Sequence, residues 1–144
     1  MITIAAAALQ AVIAVAETDY PNECCGLLIG RHRDDGGIEI VRIERSENLA
    51  PDRRGERFEI DPAVRFRLIR DLAGGPEKIV GHYHSHPETP AKPSSTDIAR
   101  AYEPDLVWMI VSVVAGHVAD VGVFRIDKAG VTPLRLTDRP LQRV

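Results

Sequence analysis

GHYHSHPETPAKPSSTDIARA, residues 81–101, joins a histidine-bearing strand to a capped helix through a proline-rich loop. His82, His84 and His86 alternate, so in an extended strand their side chains share one face. Three of the chain's five histidines fall within five residues, a clustering that a merely polar strand face does not require. Pro87, Pro90 and Pro93 stiffen the loop that follows and lower the entropy cost of fixing it. Ser94-x-x-Asp97 reads as a capping box, in which both side chains satisfy exposed backbone N–H groups. Catalytic zinc sites use three protein N or O ligands and keep a fourth position open. His84 and His86 can supply two such ligands from one strand end, and Asp97 a third if the loop returns the helix beside that strand. Periodicity does not separate His82 from its neighbours. For Asp97, capping and metal ligation compete, whereas the Ser94 hydroxyl can serve more than one partner.

Working outward, the pattern predicts a short first strand and an Ala-rich helix over residues 5–18, stopped by Tyr20-Pro21-Asn22. Strands follow at 25–31 and 38–45, around a turn at 33–37. Residues 46–56 are polar and charged and read as a mobile surface loop. A short strand at 58–60 leads to Asp61-Pro62, an N-cap with proline at the first helical position, and Val64, Leu68 and Leu72 line one face of that helix. Gly74-Gly75-Pro76 ends it. Strand 78–85 carries the histidines, loop 87–93 the prolines, and a helix spans 94–102. Strands at 106–114, 118–126 and 131–136 complete an α+β domain over residues 1–144, a curved mixed β-sheet flanked by helices. This pattern does not set the strand order.

Composition excludes several classes. With 44% apolar and 27% charged residues the chain has the balance of a globular protein. A net charge of −3, scattered basic residues and few aromatics argue against a nucleic-acid surface. The opening MITIAAAALQAVIAVAE lacks the positive start of a secretion signal and is too short to span a bilayer, so no membrane contact and a cytoplasmic location are expected. Cys24 and Cys25, as neighbours, fit buried small residues in a reducing compartment better than a disulfide or a zinc clamp. The apolar first helix leaves a homodimer open.

His84-Ser85-His86-Pro87, six residues, then Ser94-x-x-Asp97 resembles the signature of the JAB1/MPN/Mov34 metalloenzyme (JAMM) family. Pro21-Asn22-Glu23-Cys24-Cys25-Gly26-Leu27-Leu28-Ile29-Gly30 resembles the family's Pro-x-Glu-x-Cys-Gly-Leu-Leu-x-Gly stretch. Glu47-Asn48 and Phe58-Glu59-Ile60-Asp61-Pro62 are similar to bacterial and archaeal members. The resemblance implies a JAB/MPN fold like the cytidine deaminase core, and one zinc per chain held by His84, His86 and Asp97. It further implies Glu23 as general base on the zinc water and Ser94 facing the substrate carbonyl, with His82 packing beside the site.

The implied activity is that of a metallopeptidase or isopeptidase cutting an amide bond at the C-terminal Gly-Gly of a ubiquitin-like or sulfur-carrier protein. Removal of cysteine or another amino acid from such a carrier is a neighbouring implication. A Gly-Gly tail is extended and suits strand addition beside the site, and glycine lets the backbone pass close to a metal. The alternative is a non-catalytic MPN-type module that binds a ubiquitin-like partner; intact Glu23, His84, His86, Ser94 and Asp97 argue against it. A nucleobase deaminase would need His-x-Glu with Pro-Cys-x-x-Cys, and a zincin His-Glu-x-x-His; the chain has neither.

Overall fold

The computed structural model describes residues 1–50 and 58–139. The chain runs β1 (Ile2–Ala5), α1 (Ala6–Asp19), β2 (Cys25–His32), β3 (Ile38–Ser46), α2 (Pro62–Leu72), β4 (Lys78–Pro87), α3 (Ser95–Ala99), β5 (Val107–Val114), β6 (His117–Asp127), β7 (Gly130–Leu134) and β8 (Leu136–Arg139). The strands form one mixed sheet in the order β7-β6-β5-β4-β2-β3-β1-β8. β4 runs parallel to β5, and β1 parallel to both β3 and β8, while the remaining pairs are antiparallel.

Each sheet face is closed by different elements. Ala8, Val12 and Ala16 recur at four-residue spacing on α1 and pack against Ile4, Leu28, Ile40, Tyr83 and Met109. On the other face Leu68 of α2 meets Leu27 and Ile29, with Val64 and Leu72 alongside as their helical spacing predicts. Asp61 caps α2 by accepting from the Ala63 N–H. His82 and His84 share this second face with their β5 partners Trp108 and Ile110.

Three expectations change. The segment 131–136 is not one strand. It splits at Arg135, with β7 pairing to β6 and β8 to β1 at the opposite end of the sheet. Leu134 and Leu136 flank that single residue, so their Cα atoms lie within about 7 Å and the sheet must curl until its two ends nearly meet. The helix expected over 94–102 is only Ser95–Ala99. Pro104 disfavours helical backbone at Glu103, and the turn is already lost by Arg100. Segment 58–60 makes one isolated bridge, Ile60 to Asn48, rather than a strand. Of the loop expected over 46–56, residues 51–56 lie outside the described residues.

Gly81 opens the histidine segment for a packing reason. The β2–β4 register passes from Leu28↔Gly81 to Ile29↔Ile79, leaving Val80 as the extra residue of a bulge. A Cβ on Gly81 would lie 2.2 Å from the Val107 carbonyl oxygen. Gly81→Ala is therefore expected to cost about 1–3 kcal/mol, the usual range for overpacking against backbone. Urea unfolding measures it; wild-type stability would contradict the contact.

Candidate metal centre

Three separate segments build the site. β4 contributes His84 and His86 from its C-terminal end, and α3 contributes Asp97 from its first turn. Ser94 stands at the N-cap, and Glu23 precedes β2 in the turn after α1. Cys25 pairs with His84 across the sheet, which brings Glu23 to the histidine pair. Glu23, His84, His86 and Asp97 are all buried.

Their ligand-capable atoms converge. His84 Nε2 lies 3.2 Å from His86 Nε2 and 3.3 Å from Asp97 Oδ2, and His86 Nε2 lies 3.1 Å from that same oxygen. Tetrahedral zinc with bonds of about 2.0–2.1 Å would set its ligands about 3.3 Å apart. Glu23 Oε1 is farther out, 3.9 Å from His84 Nε2. Glu23, His84 and His86 also place one ligand atom each within 4.8 Å of one another, so two overlapping triads are available. The tighter edges favour the one with Asp97.

The chemistry of these atoms can accommodate a metal cation. His86 Nδ1 lies 2.9 Å from the Pro90 carbonyl, which can only accept. Nδ1 therefore carries the proton, and in the neutral ring Nε2 presents a lone pair to the centre. Two imidazole nitrogens and a carboxylate oxygen at 3.1–3.3 Å leave no room for anything larger than a proton or a metal ion. Neutral imidazole with carboxylate oxygen suits zinc. The donor set and spacing fit the metal.

The titration directions fit this crowding. Burial pushes His84 below its ordinary value, against the hydrogen bond and charge of Asp97. In His86 burial acts the same way but is outweighed by Asp97 and the Pro90 carbonyl, so its value ends raised. Burial raises Asp97, yet hydrogen bonds to His84 and His86 hold it well below the usual carboxylate range.

Asp97 caps α3 while the same carboxylate faces both histidines, so the cap and ligand roles are geometrically compatible. Its Oδ2 accepts from the Ser94 N–H at 2.9 Å while facing both histidines, and the Asp97 N–H donates to Ser94 Oγ at 3.1 Å. Accepting that bond leaves the Ser94 hydroxyl proton free to donate elsewhere.

Two clefts flank the histidines and Asp97, and a third of about 330 Å³ borders Glu23 and Asn48. One of about 410 Å³ is lined by His86, Thr89, Pro90 and Ser94. Another of about 250 Å³ is lined by Asp97, His82, Phe58, Tyr102 and Trp108. Thr96 borders both.

Residues 5–127 match the family described as prokaryotic homologs of the JAB domain. The chain belongs to that family. This prokaryotic JAB protein is 32% identical over 135 residues to the CysO-cysteine peptidase of Mycobacterium tuberculosis, covering 92% of this chain and 87% of the relative. It is 34% identical over 97 residues to the desampylase of Haloferax volcanii, covering 67% of each chain. Among solved structures, a protein from Desulfitobacterium hafniense matches with a TM-score of 0.84 at 31% identity, over 97% of this chain and 94% of that one. A JAB1/MPN domain protein from Archaeoglobus fulgidus shares the fold, with a TM-score of 0.61 at 16% identity over 94% of this chain and 97% of that one.

Within the JAB domain, Glu23, His84, His86, Ser94 and Asp97 come together in space, and His82 stays outside. Its ring packs edge-on to Trp108 at 4.3 Å and tilted to Phe58 at 5.6 Å. Burial, then the nearby His84, pushes its imidazole down to about 3, so it stays neutral. Three contributors escaped sequence reasoning. Phe58 stacks on the His84 ring with centroids 4.1 Å apart and planes 16° apart. Asn48 donates to the Glu23 carbonyl. Both lay in runs noted for similarity without an assigned role. The Pro90 carbonyl, a backbone atom, leaves no side-chain signal to find.

The thiols stand apart from this chemistry. Cys24 and Cys25 are free and buried, and burial pushes them up to about 11 and about 12. No helix among the described residues is long and apolar enough to cross a membrane.

Proposed function

We propose that this protein is a zinc-dependent peptidase or isopeptidase that hydrolyses an amide bond at the C-terminal Gly-Gly of a small ubiquitin-like or sulfur-carrier protein. A single observation carries the reading. Three ligand atoms from His84, His86 and Asp97 meet at 3.1–3.3 Å beside a buried glutamate, between two clefts. The names of the relatives, a CysO-cysteine peptidase and a desampylase, support a hydrolase acting at such a tail, including release of an amino acid from it.

His84, His86 and Asp97 would hold the metal. Zinc there would supply Lewis acidity, polarising a substrate carbonyl and acidifying water at neutral pH. Glu23 then takes the proton from the attacking water and returns it to the leaving amine. The Ser94 hydroxyl donates to the oxyanion as it develops, a contribution commonly worth about 3 kcal/mol. The tail cannot add to β4 itself, because that strand is paired to β2 on one side and β5 on the other. Its path instead crosses between the clefts at Thr96, where a glycine backbone passes closest to the cluster.

The test uses metal-free protein, one equivalent of zinc, and carrier fusions whose junction follows Gly-Gly. We expect one zinc per chain and chelator-sensitive cleavage after the second glycine. A fully loaded protein that leaves both peptide fusions and amino-acid adducts intact would instead indicate a binding module.

A further inference from the structure

The Glu23–Cys24 peptide unit is held at both ends by side chains. Its carbonyl oxygen, from Glu23, accepts from Asn48 Nδ2 at 3.1 Å. Its N–H, on Cys24, donates to Ser85 Oγ at 2.8 Å, and the Ser85 N–H donates back to the Cys24 carbonyl at 3.1 Å. A peptide is a rigid plane, so fixing both ends stops it rotating and sets the direction in which the Glu23 side chain leaves the backbone. Ser85 sits between His84 and His86, which ties that plane to the metal-facing strand.

Asn48 is anchored as firmly as what it holds. It is 8% exposed, and its Oδ1 accepts from the Ala50 N–H at 3.0 Å and the Glu59 N–H at 2.9 Å. Its backbone bridges to Ile60, and the Leu49 N–H donates to the Glu59 carbonyl at 2.9 Å. The next residue back, Phe58, stacks on His84. One buried carboxamide thus joins the Glu23 turn to the segment that braces a candidate ligand. The job needs a donor and an acceptor on one short side chain, which asparagine has and aspartate lacks.

We infer that Asn48 is a positioning residue that aims the Glu23 carboxylate at the water beside His84. This rests on the peptidase reading for its catalytic consequence only. Asn48→Asp keeps the shape and the two accepting contacts, but sets an acceptor against the Glu23 carbonyl. With the zinc enzyme, kcat is expected to fall about 100-fold, the loss that a misplacement of about 1 Å brings. KM, zinc stoichiometry and zinc affinity should stay at wild-type values. In the zinc-free protein, hydrogen exchange at the Cys24 amide should speed up about tenfold while Ala50 and Glu59 stay protected.

Asn48→Ala, which removes these three contacts among the described residues, should add faster exchange at Ala50 and Glu59 to the same kcat loss, and it serves as the test if the aspartate variant fails to fold. Wild-type kcat with unchanged Cys24 exchange in either folded variant overturns the inference. So does a kcat loss matched by an equal loss of zinc affinity. If the wild-type protein hydrolyses no substrate, the peptidase reading fails, and exchange at Cys24 still judges Asn48 alone.

Discussion

Replacing His84 with alanine is expected to strip the protein of both zinc and turnover. His84 is fully buried, and it belongs, with His86, to both overlapping triads. Truncation leaves His86 and Asp97 as a two-donor site, too few for the three ligands a catalytic zinc needs. Structural zinc binding of about 10–16 kcal/mol spread over four ligands gives about 2.5–4 kcal/mol for one, so affinity should fall roughly 100- to 1000-fold. The fold should survive, because the ring packs on Phe58 rather than at the centre of the α1 face. Metal analysis after dialysis reads the result directly. Stoichiometric zinc in a folded His84→Ala protein would place the metal elsewhere.

Glu23→Gln is expected to keep the zinc and lose the chemistry. Glutamine matches glutamate in volume, so the buried turn before β2 and its contacts with Asn48 and Ser85 need not shift. The amide cannot take up a proton, and removing a general base costs about 10²–10⁴ in rate. KM should change little if the tail crosses the two clefts beside the histidines as proposed, since Glu23 lines neither. The same variant decides between the two triads. If Glu23 ligates the metal in place of Asp97, zinc leaves with the carboxylate. If turnover persists near the wild-type level, another group is the base.

Much of this site was legible in the sequence because it lies in short local patterns. The two-residue period of a strand put His82, His84 and His86 on one face, and Ser94-x-x-Asp97 marked the helix start. Resemblance to the JAMM motifs, rather than spacing, brought in Glu23, which is far away in sequence. Other features depended on contacts that no local pattern records. Whether Asp97 caps or ligates turns on how the loop through Pro90 sets α3 against the end of β4, and one oxygen proves to face both partners. Separating His82 from its neighbours required the β5 partner, since Trp108 fills the space beside it. The break at Arg135 has no glycine or proline of its own to announce it. β7 continues a hairpin from β6, whereas β8 is defined by β1 at the far end of the chain, which no local pattern records.

That break has a consequence for how the molecule meets its own copies. An open sheet ends in two rows of unpaired N–H and C=O groups, which act as templates for edge-to-edge aggregation. Here β7 covers β6 and β8 covers β1, and the sheet's two ends are drawn together across a single residue. β7 and β8 also lie beyond residue 127, where the family match ends. The outermost strands are thus β7 and β8, five and four residues long, with Pro133 removing one N–H donor from β7, and so short an edge offers little template to a neighbour.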